Sequence, residues 1–335
     1  MKKKTININF KYFCVGFDPE DNFFTNILRK YYNVVISDKP DYLFYSVYVD
    51  GGIKDVVGIG NSIKKISPKL YFILKKIFTK AASLFKKRVK KEDLGDAVII
   101  LFAGEHQKPN MGECDWAFGS RFEEEVKDPR YARLPPYMYI DHNLINEGLP
   151  LEKKKIDFKK IKKEKTKFCN FIYSQDIPVR NEFFKKLNKY KHVDAPGRCM
   201  NNMPAISFGD PKKSRLSKNW PAEKLKFIKK YKFTIAFENA FGPGNVTEKL
   251  TQPMLVNSIP IYIGDKSVSR DFNTKSFINY HEFGDMGKFI QYIIKIDQDD
   301  HLWEKILREP WYRKDEKNRS YSKARIIKRL REIFG

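Results

Sequence analysis

Acid is scarce in this chain of 335 residues. Against 65 lysines and arginines stand 41 aspartates and glutamates, which leaves a formal net charge of +24. Such an excess argues against acidic binding modules and favours anionic partners: nucleic acid, lipid headgroups or phosphorylated small molecules. Cysteine is also sparse. The four present, Cys14, Cys114, Cys169 and Cys199, form no C-x-x-C pair. That excludes a dithiol redox motif and a zinc ribbon, and it points to buried thiols in a reducing compartment. The five histidines and four cysteines make no cluster with zinc spacing. No uncharged run reaches the length of a membrane span. The start, MKKKTININF, has no apolar core of the kind a secretory leader carries. A cytoplasmic protein is expected.

Apolar material is ample, at 41% hydrophobic and 15% aromatic residues. The length suggests two domains rather than one. Strand-like and helix-like segments alternate: TININF, then DNFFTNILRKYY, NVVIS and DYLFYSVYV. DAVIILFAG is a short continuous apolar run, as in a strand buried on both faces. The alternation then restarts with KFCNFIYS, PVRNEFFKKLNKY, HVDAPG, AEKLKFIKKY, FTIAFEN, VTEKLTQPMLVNS and IPIYIGD, and 286–311 reads as helical. This pattern predicts an α/β fold of two Rossmann-like domains facing a cleft. Ligands of such sheets lie beyond the carboxyl ends of the strands.

Two lysine-rich stretches interrupt the pattern. Residues 151–167 hold nine lysines and three acids and read as a solvated linker. Residues 64–91 hold eleven basic residues and no acid, with Leu70, Ile73, Leu74, Ile77, Phe78 and Ala81 at helical spacing. That is an amphipathic helix, suited either to an anionic membrane surface or to packing on its own domain. The expected organisation is an N-terminal domain over 1–150 with a basic insertion at about 51–95. The linker over 151–167, a second domain over 168–312 and a basic helix or tail over 313–335 follow. The basic residues are not interleaved with a nucleic-acid recognition motif, so no nucleic acid is expected as a partner.

The richest stretch is FENAFGPGNVTEKLTQPMLVNSIPIYIGD, residues 237–265. A strand ends in Glu238 and Asn239, a Gly-Pro-Gly turn follows, and a helix restarts near Thr247. Free N–H groups and the dipole at a helix start favour an anion. Lys249 adds a full charge, Glu248 can bridge two hydroxyls, and Asn239 can donate and accept. The plainer alternative stays open on these residues alone. Thr247 or Asn245 would then cap a helix, Glu248 would favour its dipole, and Lys249 would face water. Asp297-Gln298-Asp299 is formally a D-x-D metal signature, but it falls between helical segments and reads as a solvated connection, so no metal site is expected.

The same stretch resembles the signature of the α-1,3/1,4-fucosyltransferases, glycosyltransferase family ten: F-E-N, a Gly-rich loop, Y-V-T-E-K, then a helix leading to I-P-(I/V)-Y-x-G. GFDPEDNFFTNILRKYYNVVISDKPDYLFYS resembles the N-terminal domain of bacterial members. ILFAGEHQKPN, CDWAFGSRF and RYARLPPY resemble their central segment, and KSFINYHEF and HLWEKILREPWY resemble the end. The resemblance skips about 51–95 and the far C-terminus.

The resemblance implies a GT-B fold and inverting transfer of L-fucose from GDP-fucose to a glycan or lipid-linked oligosaccharide containing N-acetylglucosamine or glucose. The basic amphipathic helix and the basic tail add an expected setting at the inner face of a membrane, in surface-glycan or lipopolysaccharide synthesis. The resemblance implies Glu105 as catalytic base and Arg180, Glu238, Asn239, Asn245, Val246, Thr247, Glu248 and Lys249 at the donor. It sets His106 and Phe17 on the acceptor side. No cofactor is implied beyond the donor, and a divalent cation would at most stimulate. Two positions depart from the family pattern. Asn245 stands where tyrosine is usual, and His106 where asparagine follows G-E. The first keeps another GDP-linked deoxysugar open as donor. A non-catalytic polyanion-binding protein is the remaining alternative.

Overall fold

The computed structural model describes residues 3–13, 17–46, 95–104, 107–140, 156–206, 220–312 and 323–335. Its chain divides into two compact units. One comprises 1–119, 123–132 and 327–335, and the other 120–122 and 133–326. The amphipathic segment 64–91 and the candidates Glu105, His106 and Cys14 lie outside the described residues.

The first unit is built on a six-stranded sheet. Its strands are β1 (Thr5–Lys11), β2 (Asn33–Ile36), β3 (Tyr42–Ser46), β4 (Val98–Ala103), β5 (Trp116–Gly119) and β6 (Tyr131–Arg133), in the order β2-β1-β3-β4-β5-β6. The first five pair in parallel, with Ile8 opposite Ile36 and Tyr42, and Phe44 opposite Phe10 and Ile100. Parallel strands covered on both faces read as unbroken apolar runs. Accordingly Ile99 to Ala103 of β4 are all buried. Helix α1 (Phe23–Leu28) starts at Asn22, whose side chain accepts from the N–H groups of Phe24 and Thr25. It delivers Phe24 onto Phe44, Phe102 and Phe118.

The end of the chain, expected as a basic helix or tail, is helical over its described residues and folds into this unit. The helix Lys323–Phe334 sets Phe334 against Tyr42, with ring centroids 4.3 Å apart, and Lys4 donates to the Phe334 carbonyl. Arg329 and Arg331 lie over Trp116 and Tyr31. Aromatic partners for the guanidinium groups, and buried Leu330 and Phe334, explain why a basic sequence is folded there.

The second unit carries a parallel five-stranded sheet: β7 (Lys167–Asn170), β8 (Val193–Asp194), β9 (Tyr231–Phe237), β10 (Ile259–Ile263) and β11 (Ile278–Asn279), ordered β11-β10-β9-β7-β8. Every residue of β9 and β10 is buried. The helices are α2 (Phe158–Glu164), α3 (Pro178–Tyr190), α4 (Trp220–Ile228), α5 (Glu248–Leu255), α6 (Met286–Gln298) and α7 (Asp300–Arg308). Phe183, Leu187, Phe289, Ile293, Trp303 and Leu307 join the strand residues in one core.

Two expectations are corrected here. The stretch read as a solvated linker contains α2, capped by Asp157 and anchored by buried Ile161. One apolar residue per turn suffices once Lys165 is tied to the Lys229 and Val256 carbonyls. Asp297, read as solvated, has a side chain only 4% exposed. It accepts from the Tyr190 hydroxyl and from Lys191, and Lys232 donates to its carbonyl. That D-x-D joins α6 to α7. Among the described residues no group of three or more His, Cys, Asp or Glu is arranged to hold a metal ion. Cys114, Cys169 and Cys199 are buried thiols outside any disulfide.

Candidate functional site

The second unit holds a cavity of about 370 Å³ beyond the carboxyl ends of β7 and β9. Its polar wall is Arg180, Asn239, Glu248, Lys249, Lys224 and Arg198, and its apolar wall includes Tyr173, Ile206 and Ile235. The position is the one open parallel sheets reserve for ligands.

Arg180 enters from the first turn of α3, which starts on Pro178. Its side chain is 1% exposed overall. Nη2 donates to Asn239 Oδ1 at 2.9 Å and to the Glu238 carbonyl at 3.4 Å. The guanidinium carbon lies 3.8 Å from the centre of the Tyr173 ring. Nε and Nη1 are buried and have no hydrogen-bond partner among the described residues. Burial pulls this guanidinium below the usual arginine range. Unpaired buried donors on a charged group are costly, and an anion in the cavity would satisfy them.

The turn from β9 into α5 supplies the rest. Glu238, 2% exposed, ends β9 and accepts from the Thr247 N–H at 2.8 Å and the Thr247 hydroxyl at 2.7 Å. Thr247 caps α5, its oxygen accepting from the Lys249 N–H. Lys249 does not face water. Its ammonium stands 3.6 Å from Glu238 and 3.7 Å from Glu248, with its side chain 17% exposed. Burial works against its charge, but the two carboxylates outweigh it and hold Lys249 above the usual lysine range. Burial raises Glu238 despite Lys249. For Glu248 burial is outweighed by Lys249 and Lys224, and its carboxyl sits below the usual range.

The Gly-rich loop is clamped from behind. Arg133, fully buried, forms two bonds with Asp271 at 2.6 and 2.9 Å and donates to the carbonyls of Gly244 and Ser120. The Gly244 N–H donates to Asp265, which also accepts from the N–H and hydroxyl of Ser267. Gly244 has φ +79°, and a Cβ there would lie 2.1 Å from the Ser120 carbonyl. Only glycine fits.

The expected donor residues therefore divide. Arg180, Asn239, Glu248 and Lys249 line the cavity together. Glu238 and Thr247 brace the loop by bonding to each other. Asn245 turns inward and donates to the Ala240 carbonyl. Val246 is fully buried among Tyr137, Leu250 and Met254, so its side chain belongs to the core. Phe17 packs on Phe13 and Phe10 at 4.1 and 5.1 Å, within an aromatic cluster of the first unit. Sequence reasoning missed Tyr173, Lys224 and Arg198 in the wall, and the Arg133–Asp271 clamp. The pairing of Arg133 with Asp271 spans 138 residues and leaves no local signal.

Comparison with known proteins identifies relatives of the chain. Residues 161–329 match the family model "Glycosyltransferase family 10 (fucosyltransferase) C-term". Residues 8–59 match "Alpha-(1,3)-fucosyltransferase FucT N-terminal domain". The α-(1,3)-fucosyltransferase of Helicobacter pylori is 31% identical over 264 residues, 67% of this chain and 52% of that protein. A fucosyltransferase-named protein of Acanthamoeba polyphaga mimivirus is 38% identical over 154 residues, 45% of this chain and 25% of that protein. The chain thus spans about half or less of these relatives. A crystal structure of an α1,3-fucosyltransferase superposes with a TM-score of 0.69 at 21% identity, covering 99% of this chain and 90% of the other. The same enzyme type solved with GDP-fucose gives 0.67. Two parallel α/β units of GT-B type are the shared fold. With its C-terminal half matched throughout, the chain belongs to glycosyltransferase family 10, the fucosyltransferases.

Proposed function

We propose that this protein transfers L-fucose from GDP-fucose to a hydroxyl of a glycan containing N-acetylglucosamine or glucose, with inversion at the anomeric carbon. The observation that carries the reading is the pair of unpartnered, buried N–H groups of Arg180, set in a cavity that Lys249 also lines. A diphosphate would satisfy both and place its charge between two cations. Glu248 would take the ribose or sugar diol.

In this mechanism Glu105, two residues past the end of β4, is the base. It removes the proton of the acceptor hydroxyl while that oxygen attacks C1. The C1–O bond to GDP breaks, and Arg180 and Lys249 take up the charge that develops on the diphosphate. The transition state has oxocarbenium character, as in glycoside hydrolysis. Base catalysis contributes about 10²- to 10⁴-fold, so Glu105→Ala should lose that much turnover while keeping GDP affinity. The acceptor is proposed to be a lipid-linked or surface glycan made at the inner face of a membrane, with 64–91 as the contact. Binding to anionic vesicles that is salt-sensitive and lost on deleting 64–91 supports that location. Equal recovery of both forms in the soluble fraction sinks it.

The decisive experiment is titration with GDP and GDP-fucose, followed by product analysis with N-acetyllactosamine, lactose and lipooligosaccharide acceptors. Failure of any GDP-sugar to bind would remove the donor reading. A second donor, another GDP-linked deoxysugar, is favoured by one observation: Asn245 is spent on the Ala240 carbonyl and presents no aromatic ring. Comparing GDP-fucose with other GDP-deoxysugars separates the two.

A further inference from the structure

We propose that Tyr173 is a positioning residue that holds Arg180 aimed into the cavity and so sets its affinity for a diphosphate. This rests on the donor reading above. An arginine has several rotatable bonds, and one hydrogen-bonded nitrogen cannot fix its plane. Nη2 is tied to Asn239 and the Glu238 carbonyl, yet Nε and Nη1 stay buried and unpartnered. Something must hold the group while those donors wait. The Tyr173 ring, 3.8 Å away, does so through a desolvated cation–π contact.

Tyr173 is itself immobile. Its hydroxyl donates to the Ile235 carbonyl at 2.9 Å and accepts from the Phe237 N–H at 2.6 Å. Its carbonyl accepts from Cys199 N–H, and Gly197 lies so close that a Cβ would sit 2.2 Å from that carbonyl. The hydroxyl thereby grips the end of β9, the strand that leads straight into Glu238 and Asn239. One residue fixes both Arg180 and the groups Arg180 bonds to.

The chemistry of the holder matters. Lys249 is held by two carboxylates, so much of its charge is compensated before any ligand arrives. Arg180 is held by a ring, an amide and a carbonyl, none of them anionic. An aspartate in place of Tyr173 would orient the guanidinium equally well but would compete with the diphosphate. The aromatic holder brings no negative charge of its own to Arg180.

The test titrates GDP and guanosine calorimetrically into the wild-type chain, Tyr173→Phe and Tyr173→Leu, with each variant's melting temperature recorded. Tyr173→Leu should weaken GDP about tenfold and change guanosine less than twofold. Tyr173→Phe, which keeps the ring, should stay within about threefold of wild type for GDP. Unchanged GDP affinity in Tyr173→Leu overturns the proposal, as does an equal loss for GDP and guanosine, which marks general damage to the cavity. If Tyr173→Leu does not fold, Tyr173→Phe decides: a tenfold GDP-selective loss there shows that the ring is not the holder. Absence of GDP binding to the wild type defeats the donor reading instead, and is seen in the first titration.

Discussion

Glu238 receives both the N–H and the hydroxyl of Thr247, at 2.8 and 2.7 Å, and so ties the residue that follows β9 to the cap of α5 nine positions later. The loop between them is closed by a carboxylate rather than by backbone bonds alone. Because Lys249 stands 3.6 Å from the same carboxylate, closing the loop and placing the cation are one event.

Removing that carboxylate should therefore damage stability and binding together. Glu238→Ala leaves the Thr247 donors and Lys249 short of a partner in a buried place. The expected loss is about 3–5 kcal/mol, as for breaking a buried ion pair, with GDP affinity falling in parallel. Glu238→Gln can still accept one Thr247 bond and should lose less, about 1–3 kcal/mol. Urea denaturation alongside GDP titration checks both. Equal, small effects from the two variants would show that the carboxylate charge is immaterial.

The Arg133–Asp271 pair offers a cleaner separation. Both side chains are at most 1% exposed, and Arg133 also holds the Gly244 carbonyl. Asp271→Asn or Arg133→Met alone strands a buried charge and should cost about 3–5 kcal/mol. Arg133→Met with Asp271→Leu removes both charges and should cost clearly less than the sum of the two singles. A strictly additive double-mutant cycle would contradict the coupling. Where the double variant folds, its GDP affinity reports what the clamp does for the loop.

Much of the fold was legible in the sequence because its information is local. Continuous apolar runs marked β4, β9 and β10, and Asn22 and Thr247 cap helices with side chains one can read directly. That Asn239, Glu248 and Lys249 line one cavity follows from a strand, a turn and a helix in succession, whereas Glu238, expected beside them, braces the loop. What could not be read was set by distant partners. Lys249 was open to a solvent-facing reading until Glu238 was seen across the loop. The lysine-rich stretch 151–167 reads as solvated because the partners of Lys165, the Lys229 and Val256 carbonyls, come from elsewhere in the chain. Tyr173 carries no local signal of its place, because the Arg180 that lies over its ring arrives from another element.

Charge neutralisation by side chains carries a prediction about metal. Arg180 and Lys249 both line the cavity, and on the donor reading proposed above they would take up the charge of a departing diphosphate. Transfer should persist in excess chelator, and added divalent cation should stimulate it only modestly. Complete loss in chelator, restored by one cation, would show that the two side chains are insufficient.

Lys165 provides a pH signature. Burial pulls its ammonium from the ordinary 10.5 down to about 7, with Lys229 adding repulsion and Glu164 offsetting part of it. The folded value is depressed, so between about 7 and 10.5 the unfolded chain holds a proton that the folded chain has released. Stability must rise with pH across that window and fall as pH drops toward the folded value. Below it both states are protonated and the penalty is constant. Lys165→Met cannot titrate. Its loss of the bonds to Lys229 and Val256 is a fixed offset, whereas the wild type should gain stability relative to it as pH climbs from 7 toward 10. Urea midpoints measured for both proteins across that range test the point. Parallel profiles would mean that Lys165 keeps its proton in the folded state, held as an ammonium by the two carbonyls it caps.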